Sequence, residues 1–423
     1  MPSPTLRERK PPGFVDDDTN TQSNPSPKDD NWEDGHLHHT DSRIRTRPRS
    51  ATKLPLAERL RHITWAWFTM TMGTGGIALL LRGTPHQFGA LPAIGKAFYI
   101  LDLVFFVTLT LLISLRFAAD PPALLESLAH PTEGLFFPCF FISFSSILSC
   151  AALYGVPSSG PWLVDALWGL YWVYLALTML SAVIQFSVLF NGSHMPVHSM
   201  TPAWVLPVFP VMLAGVMAGA LAAPQPPERA LPMIVAGVTC SAMGFMVSTF
   251  VYPLYFGRLM QDGLPAHPMR PAMFIAVGPP GFMTVSLVGM ARAIPTDYAY
   301  FAAHPLAPEV LRILALWVSI WLWCLAFWFF AVSFVAVAMS AIRWKLRFSM
   351  GWWTFVFPNV GFTLATGLIG EELGSEPVKW VCTAMTIVLV ATWFVVFAAQ
   401  VNAVARHNIL WPGRDEDKEN RRV

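Results

Sequence analysis

The chain has 423 residues, of which 54% are hydrophobic and 13% charged, and its formal net charge is +2. A soluble globular domain carries about 25% charged residues, so this composition excludes that class and indicates a polytopic membrane protein. The small net charge favours no charged partner, and we expect a lipid bilayer around the chain and no nucleic-acid binding.

The chain divides into a long apolar middle and two polar ends. The beginning is rich in Pro, Ser, Asp and Arg, and such a composition does not bury enough apolar surface to fold. We therefore expect a disordered cytoplasmic tail at 1–55, a ten-helix transmembrane domain at 56–411 and a charged cytoplasmic tail at 412–423.

Ten apolar stretches follow the N-terminal segment, each about long enough to cross a bilayer as a helix. We place them at residues 63–81, 97–116, 135–155, 162–190, 203–222, 232–256, 271–291, 310–339, 350–370 and 379–405. The connections between them are short, so we expect no extramembrane domain.

Every odd-numbered stretch is interrupted by proline or glycine, whereas the even-numbered stretches are nearly free of both. The interruptions are Met72-Gly73-Thr74-Gly75-Gly76, Pro138, Pro207 with Pro210, Gly278-Pro279-Pro280-Gly281, and Pro358 with Gly361. Proline kinks a helix, and in a membrane the freed carbonyl needs burial in protein or a water-lined cavity.

We therefore predict an all-α polytopic membrane protein of ten transmembrane helices, arranged as five helical hairpins. Five kinked inner helices would line a central pore and five outer helices would face lipid. The alternative is that membrane helices tolerate proline and glycine without a pore.

Basic residues next to the stretches predict the orientation, because they concentrate on the cytoplasmic side. With the N-terminus inside, the cytoplasmic flanks hold Lys53, Arg59, Arg61, Arg116, Arg258, Arg270, Arg343, Lys345, Arg347, Arg406 and Arg414. The opposite loops hold Arg82, Lys96, Arg229, Arg292, Arg312 and Lys379. The larger first set favours cytoplasmic N- and C-termini.

The interiors of the stretches offer little reactive chemistry. Acids, bases and nucleophiles do not cluster, and the cysteines fit no metal or disulfide motif, so we expect no enzyme, no cofactor and no metal. Asp102 is an exception in the second stretch. An intramembrane acid is a functional candidate, but its position near one end of an outer helix favours an interfacial side chain.

Permeation of an anion remains as the function that a neutral interior supports. The N-terminal end of each half-helix carries a partial positive charge and free N–H groups, which attract an anion and still release it. Hydroxyl groups would add donors; they are Thr69, Thr71, Thr74, Ser143, Ser145, Ser146, Thr284, Ser286, Thr363 and Thr366. For each hydroxyl the alternative is a hydrogen bond to its own helix.

Several longer strings carry a family resemblance. They are Leu60-Arg61-His62-Ile63-Thr64-Trp65-Ala66-Trp67-Phe68-Thr69, Gly134-Leu135-Phe136-Phe137-Pro138, Thr201-Pro202-Ala203-Trp204-Val205-Leu206-Pro207-Val208-Phe209-Pro210, Arg270-Pro271-Ala272-Met273-Phe274-Ile275-Ala276-Val277-Gly278-Pro279-Pro280, and Trp352-Trp353-Thr354-Phe355-Val356-Phe357-Pro358-Asn359-Val360-Gly361-Phe362-Thr363. Together they resemble the fungal malic acid transport proteins of the tellurite-resistance/dicarboxylate transporter family. That family includes the plant slow anion channels and the yeast sulfite efflux pump.

The resemblance implies a plasma-membrane homotrimer in which each subunit has its own pore, plugged by a phenylalanine of the ninth helix. The position that matches this gate is Phe357; the alternative is an ordinary core phenylalanine. The candidate pore residues beside it are Thr74, Gly75, Pro138, Pro210, Pro279, Pro280, Pro358, Asn359 and Thr363. At the pore mouths we expect Arg82, Arg270 and Arg292 to concentrate anions, with membrane anchoring as the alternative.

The malate branch of the family carries four-carbon dicarboxylates. The resemblance therefore implies transport of malate first, with succinate, fumarate or malonate as related substrates. A sulfite or inorganic anion efflux channel of the same fold is one alternative, and a multispan receptor or membrane enzyme is a more distant one.

Overall fold

The computed structural model describes residues 62–192 and 196–410. These residues form helices and connecting turns, and the described ranges contain no β-strand. The two predicted tails, and the basic residues that they contribute to the orientation, lie outside the described residues. The all-helical prediction is confirmed.

Five long helices are continuous and coincide with the even-numbered stretches. They are α2 (Leu91–Ala119), α4 (Pro161–Gly192), α6 (Pro227–Asp262), α8 (Ala307–Ile342) and α10 (Glu376–Ala405). Helix α6 extends past both predicted ends and continues through Pro232 and Pro253. Neighbouring helices and local adjustment satisfy backbone groups freed by proline in a membrane helix, so a proline does not always end one.

Five shorter helices coincide with the odd-numbered stretches. They are α1 (Phe68–Gly83), α3 (Pro138–Cys150), α5 (Phe209–Leu221), α7 (Gly278–Arg292) and α9 (Phe357–Glu372). A short segment precedes each of them: 3-10 turns at Trp65–Trp67, Pro202–Val205, His267–Val277 and Met350–Phe355, and a single α-turn at Glu133–Phe136. In α3, α5, α7 and α9 the predicted proline interruptions lie at the boundary between a preceding turn and the helix. The interruption predicted in the first stretch is wrong: α1 runs unbroken through Gly73, Gly75 and Gly76, because glycine keeps its N–H and does not force a break as proline does.

Connections between the helices are short. Helix α3 continues into a π-turn at Ala151–Gly155 and a 3-10 turn at Val156–Ser158. Short helices at Pro122–Ala129 and Tyr300–Ala303 lie in two connections, and a 3-10 turn at Val197–Ser199 lies in a third.

Within the described residues, seven helical segments are long and apolar enough to cross a membrane. They comprise the five even-numbered helices together with Glu133–Ser158 and His267–Arg292. The helices α1, α5 and α9 have 16, 13 and 16 residues and are shorter than these segments. A polytopic membrane protein is confirmed at this level, and the count of ten spans stays a prediction.

The odd-numbered helices form the centre of the molecule. Helix α1 contacts α3, α3 contacts α5, α5 contacts α7, α7 contacts α9, and α9 returns to α1, which closes a cycle of five. The segments that contain α3 and α7 are 72% and 83% buried, against 22–39% for the even-numbered spans. Large apolar side chains such as Leu111 and Trp321 project outward from the even-numbered helices, as expected for a lipid-facing surface.

Side chains of the even-numbered helices satisfy backbone carbonyls at the kinks. The hydroxyl of Tyr174 on α4 donates to Pro210 O at 2.7 Å, and that of Tyr252 on α6 donates to Ala276 O at 3.1 Å. The amide of Gln185 donates to Gly134 O at 3.0 Å. Because Gly134 and Ala276 each precede a proline by four residues, these bonds replace the N–H groups that Pro138 and Pro280 lack.

Candidate functional site

Three phenylalanine rings meet where the odd-numbered helices converge. The ring of Phe357 stacks on that of Phe282, with centroids 4.8 Å apart, and meets Phe209 edge-on at 6.2 Å. Phe209 and Phe282 also meet edge-on, at 5.7 Å. Each ring is at most 4% exposed. We call this set the aromatic constriction; it joins α5, α7 and α9.

The start of each odd-numbered helix positions these rings. Phe209 and Phe357 are the first residues of α5 and α9, and Phe282 lies one turn into α7. Each ring also packs against a glycine of a neighbouring element. A β-carbon added to Gly76 would lie 3.1 Å from Phe357 Cδ2, one on Gly278 would lie 3.1 Å from Phe209 Cζ, and one on Gly361 would lie 2.6 Å from Phe282 Cδ2. The rings can approach these backbones closely because glycine has no side chain.

A cavity of about 1040 Å³ lies at the end of the molecule where the odd-numbered spans begin. Four of those spans contribute to its wall, through Ala66, Phe136, Ala272 and Met350. Its polar lining includes His62, Thr132, Arg347, Ser349, Asn402 and Asn408. We call it the vestibule.

The predicted pore hydroxyls are already engaged within their own helices. Thr74 Oγ1 donates to Met70 O at 2.8 Å and accepts from the indole N–H of Trp393 on α10 at 3.1 Å. Thr363 Oγ1 donates to Asn359 O at 2.7 Å. A hydroxyl has one proton to donate, so these two groups offer no free donor to an anion in this conformation. Both hydroxyls therefore follow the alternative interpretation, in which the hydroxyl donates a hydrogen bond to a carbonyl of its own helix.

The prolines lie where a helix tolerates them. Pro138 is the first residue of α3, Pro210 and Pro358 are the second of α5 and α9, and Pro279 and Pro280 are the second and third of α7. An N–H is not needed for intrahelical bonding at these positions. The N–H groups just before them donate to the preceding 3-10 turns, as from Phe209 to Leu206 O and from Gly278 to Ile275 O. The kinks therefore present fewer free N–H groups than the sequence suggested.

Two further predicted residues lie beside the constriction in different surroundings. Gly75 turns away from it, toward α2 and α3, where a β-carbon would lie 2.9 Å from Cβ of Ser146. Asn359 is the third residue of α9 and is 7% exposed; its amide nitrogen donates to Phe355 O at 2.9 Å. Within the described ranges no donor reaches its Oδ1, so this oxygen is an unused acceptor.

The three arginines expected at the mouths differ in their surroundings. Arg270 is 9% exposed, and its guanidinium donates to Pro265 O, to Ala336 O and to the hydroxyl of Ser340. These contacts fasten it to the chain before the 3-10 turn of α7 and to the last turns of α8. Arg82 is exposed, and no ion pair of its guanidinium occurs in the part of the chain that the structure describes.

Arg292 is paired with two carboxylates at the end of α9. Its Nε lies 2.6 Å from Glu372 Oε1 and its Nη1 lies 2.8 Å from Glu371 Oε2. Arg312 of α8 approaches the same Glu372 oxygen at 3.7 Å. These carboxylates offset the positive charge of Arg292. They lie about 80 residues from it in the chain, so local sequence does not predict the pairing.

The expected interfacial placement of Asp102 is wrong. The side chain is 0% exposed and packs between α1, α2 and α3. The sequence indicates how deep Asp102 lies along α2, but it does not indicate which face of α2 meets α1. The partner rings Phe209 and Phe282 were also missed. Each of these two phenylalanines lies beside a predicted interruption, which could have indicated it. The chain has 31 phenylalanines, so this position alone does not distinguish the two from the others.

Comparison with known proteins agrees with this architecture. The SLAC1 family, described as voltage-dependent anion channel, matches residues 62–401. The malic acid transport protein of Schizosaccharomyces pombe is 33% identical over 368 residues, covering 87% of this chain and 84% of that protein. The sulfite efflux pump SSU1 of Arthroderma otae is 29% identical over 343 residues, covering 79% of this chain and 89% of the pump.

These relatives are transporters and channels rather than enzymes, in agreement with the multipass helical structure. The family match extends over nearly all described residues, including most of the vestibule lining, the aromatic constriction and the paired arginine of α7. The chain belongs to the SLAC1 family of voltage-dependent anion channels.

Proposed function

We propose that the protein transports C4-dicarboxylates, malate first, through a pore along the axis of the five-helix cycle. The observation that carries this proposal is the meeting of Phe209, Phe282 and Phe357 where three helices of that cycle converge. Rings that fill the centre of a closed cycle of helices act as a plug, and Phe357 is the movable part of it. Its place at the start of α9, directly before Pro358, leaves its backbone without an α-helical turn on the N-terminal side.

The proposed membrane arrangement has ten crossings as five hairpins. Helices α1, α5 and α9 cross together with their preceding 3-10 turns, with which each reaches the roughly 20 residues that cross a bilayer. Both termini are cytoplasmic, so the vestibule opens to the cytosol and the paired Arg292 lies at the far end. The plasma membrane, the trimer with one pore in each subunit and the two cytoplasmic tails extend the proposal and rest on the family resemblance.

Weak anion binding follows from the composition of the proposed pore. The three rings and the glycines against them carry no formal charge, and the hydroxyls Thr74 and Thr363 are engaged by their own helices. What remains to attract an anion is the dipole of each half-helix, directed from the start of α5, α7 and α9. An ion bound so weakly is released quickly, which suits transport.

The choice of malate rests on the relatives. The S. pombe protein named for malic acid transport is 33% identical to this chain. Sulfite efflux is the second candidate, favoured by the A. otae pump at 29% identity. Both anions fit a neutral pore, so the substrate has to be measured.

The test is flux into vesicles that contain the purified protein. We expect labelled malate to enter faster than into empty vesicles, unlabelled succinate, fumarate and malonate to compete, and sulfite to compete poorly. Fast sulfite flux without malate flux would replace the first candidate by the second. If neither anion moves, although the protein is folded and inserted, the transport proposal fails. The particle mass in detergent separately tests the trimer.

A further inference from the structure

The carboxyl group of Asp102 is buried in α2 without a hydrogen-bond partner. Its exposure is 0%, and among residues 62–192 and 196–410 no donor lies within hydrogen-bonding distance of either carboxyl oxygen. Buried polar groups in proteins are nearly always paired, and an unpaired buried group asks for an explanation. An ionised carboxylate is strongly disfavoured in such a place, so the surroundings accommodate the uncharged acid.

The groups around this carboxyl provide no counter-charge. The titratable groups close enough to influence it are Tyr99 of α2 and Cys150 of α3, and neither of these side chains carries a positive charge. Helix α1 presents Gly75, α3 also presents Ser146, and α10 presents aromatic rings such as Trp393 to the neighbouring Phe98. In the described part of the chain, no Lys, Arg or His forms an ion pair with Asp102.

Helix α1 connects this carboxyl to the aromatic constriction. A β-carbon at Gly75 would lie 2.5 Å from Asp102 Oδ2, so the carboxyl lies directly against the α1 backbone. At the next residue, Gly76, a β-carbon would lie 3.1 Å from Phe357 Cδ2. Successive residues of a helix face directions about 100° apart. Two successive residues of α1 therefore contact the acid and the gate ring on different sides of the helix.

We propose that Asp102 is a proton-binding site that holds the Phe357 gate shut while it is protonated. The inference rests on the proposed role of Phe357 as a gate. When the acid releases its proton to water, the resulting carboxylate must be hydrated. Water reaches it only if α1 separates from α2. Movement of α1 at Gly75 also moves Gly76, and the ring of Phe357 loses the surface against which it packs. Acidic pH then favours the closed state, because the closed state binds the proton more tightly.

Nitrate flux into reconstituted vesicles tests the proposal, since nitrate stays an anion over the whole range used. For the wild type we expect flux to rise about tenfold from mildly acidic to mildly alkaline pH, the change that ~1.4 kcal/mol of differential proton binding produces. Asp102→Asn mimics the protonated acid and should give low flux without pH dependence. The matched control is Asp120→Asn, at the exposed end of the same helix, which should follow the wild type. Wild-type pH dependence in Asp102→Asn would overturn the proposal.

A second variant covers the case in which Asp102→Asn does not reach the membrane. Gly75→Ala places a methyl group against the carboxyl and should separate α1 from α2. We expect higher nitrate flux at acidic pH and a flatter pH profile. The control is Gly89→Ala, where a β-carbon meets nothing within 4 Å. Unchanged acidic flux in Gly75→Ala would contradict the coupling through α1.

Infrared spectroscopy separates this proposal from the transport proposal. The C=O stretch of a protonated, buried carboxylic acid should be present in the wild type at neutral pH and absent from Asp102→Asn. Absence of that band from the wild type would overturn the proton site, whatever the flux. If the band is present but neither the wild type nor Phe357→Ala carries nitrate or malate, the transport proposal fails while the proton site stands.

Discussion

The ring of Phe357 stacks on the ring of Phe282 with centroids 4.8 Å apart and planes inclined by 25°. The two residues are 75 positions apart in the chain and belong to α9 and α7, which are neighbours in the five-helix cycle. Phe209 meets both rings edge-on, so the three rings join three helices of the cycle. In the proposed gate these rings act as a cluster, and each member can be tested separately.

Removal of the Phe357 ring tests the gate. Phe357→Ala should raise malate flux normalised to surface protein and loosen selectivity, because a hole about the volume of the ring replaces the plug. The same change costs about 3–5 kcal/mol of stability, as expected for a fully buried phenylalanine. The control is Phe355→Ala, whose half-buried ring packs on Phe274 at 5.5 Å and not in the constriction. Reduced expression without added flux in Phe357→Ala would make it an ordinary core residue.

The glycine beneath the gate ring gives a smaller perturbation. Gly76→Ala adds a methyl group 3.1 Å from Phe357 Cδ2, a contact too close to keep without displacing the ring. One side of the ring packs against this glycine and its neighbours. We therefore expect a several-fold rise in flux that is smaller than in Phe357→Ala. Gly89→Ala serves again as the control. An unaltered flux in Gly76→Ala, with normal expression, would show that ring and helix move independently.

The three mouth arginines should respond differently to ionic strength. The screening length is about 30 Å at 0.01 M salt and about 10 Å at 0.1 M, so a steering charge matters most in dilute salt. Arg82→Gln removes an exposed charge and should lower anion flux more in dilute than in concentrated salt. Arg292→Gln should show less of this dependence, because Glu371 and Glu372 already offset its charge.

Arg270→Gln supplies the contrasting case in the same assay. It breaks hydrogen bonds to Pro265 O, Ala336 O and Ser340, so we expect reduced surface expression with little dependence on salt. Equal salt dependence in all three variants would refute the distinction between steering and anchoring arginines.

A buried ion pair fastens the end of α2 to the turn before α3. Arg116 Nη1 lies 2.6 Å from Glu133 Oε1 and also donates to Ile63 O at 2.6 Å, with both side chains at most 7% exposed. Glu133→Gln removes the counter-charge of a buried guanidinium, which costs about 3–5 kcal/mol. The expected result is a clearly lower midpoint of thermal unfolding in detergent.

The matched control for the ion pair is Asp165→Asn. It breaks the pair between Arg229 and Asp165, whose side chains are 37% and 64% exposed. An exposed pair contributes about 0–1 kcal/mol, so the midpoint should hardly move. Equal shifts of the unfolding midpoint in Glu133→Gln and Asp165→Asn would mean that the buried pair stabilises the protein no more than the exposed pair does.

The amino-acid sequence by itself determined the helical class, the position of each apolar stretch and the alternation between interrupted and continuous helices. These features depend on local chemistry. Pro138, Pro210 and Pro358 lack an N–H and are best tolerated in the first turn of a helix, so the sequence indicates where these helices begin, and apolar runs of about 20 residues favour a membrane. For the same reason the hydroxyls of Thr74 and Thr363 bond within their own helices, an alternative that the sequence already offered.

Only the tertiary structure decided which side chains meet. The stacking of Phe357 on Phe282, the pairing of Arg292 with Glu372 and the contact of Asp102 with Gly75 each join different helices. Such contacts depend on how far each helix is rotated about its axis and which neighbour it packs against, and a helix that is apolar on every side does not reveal its rotation in its sequence. Asp102 shows the consequence, since the same position on α2 would be interfacial or buried according to the face that α1 covers.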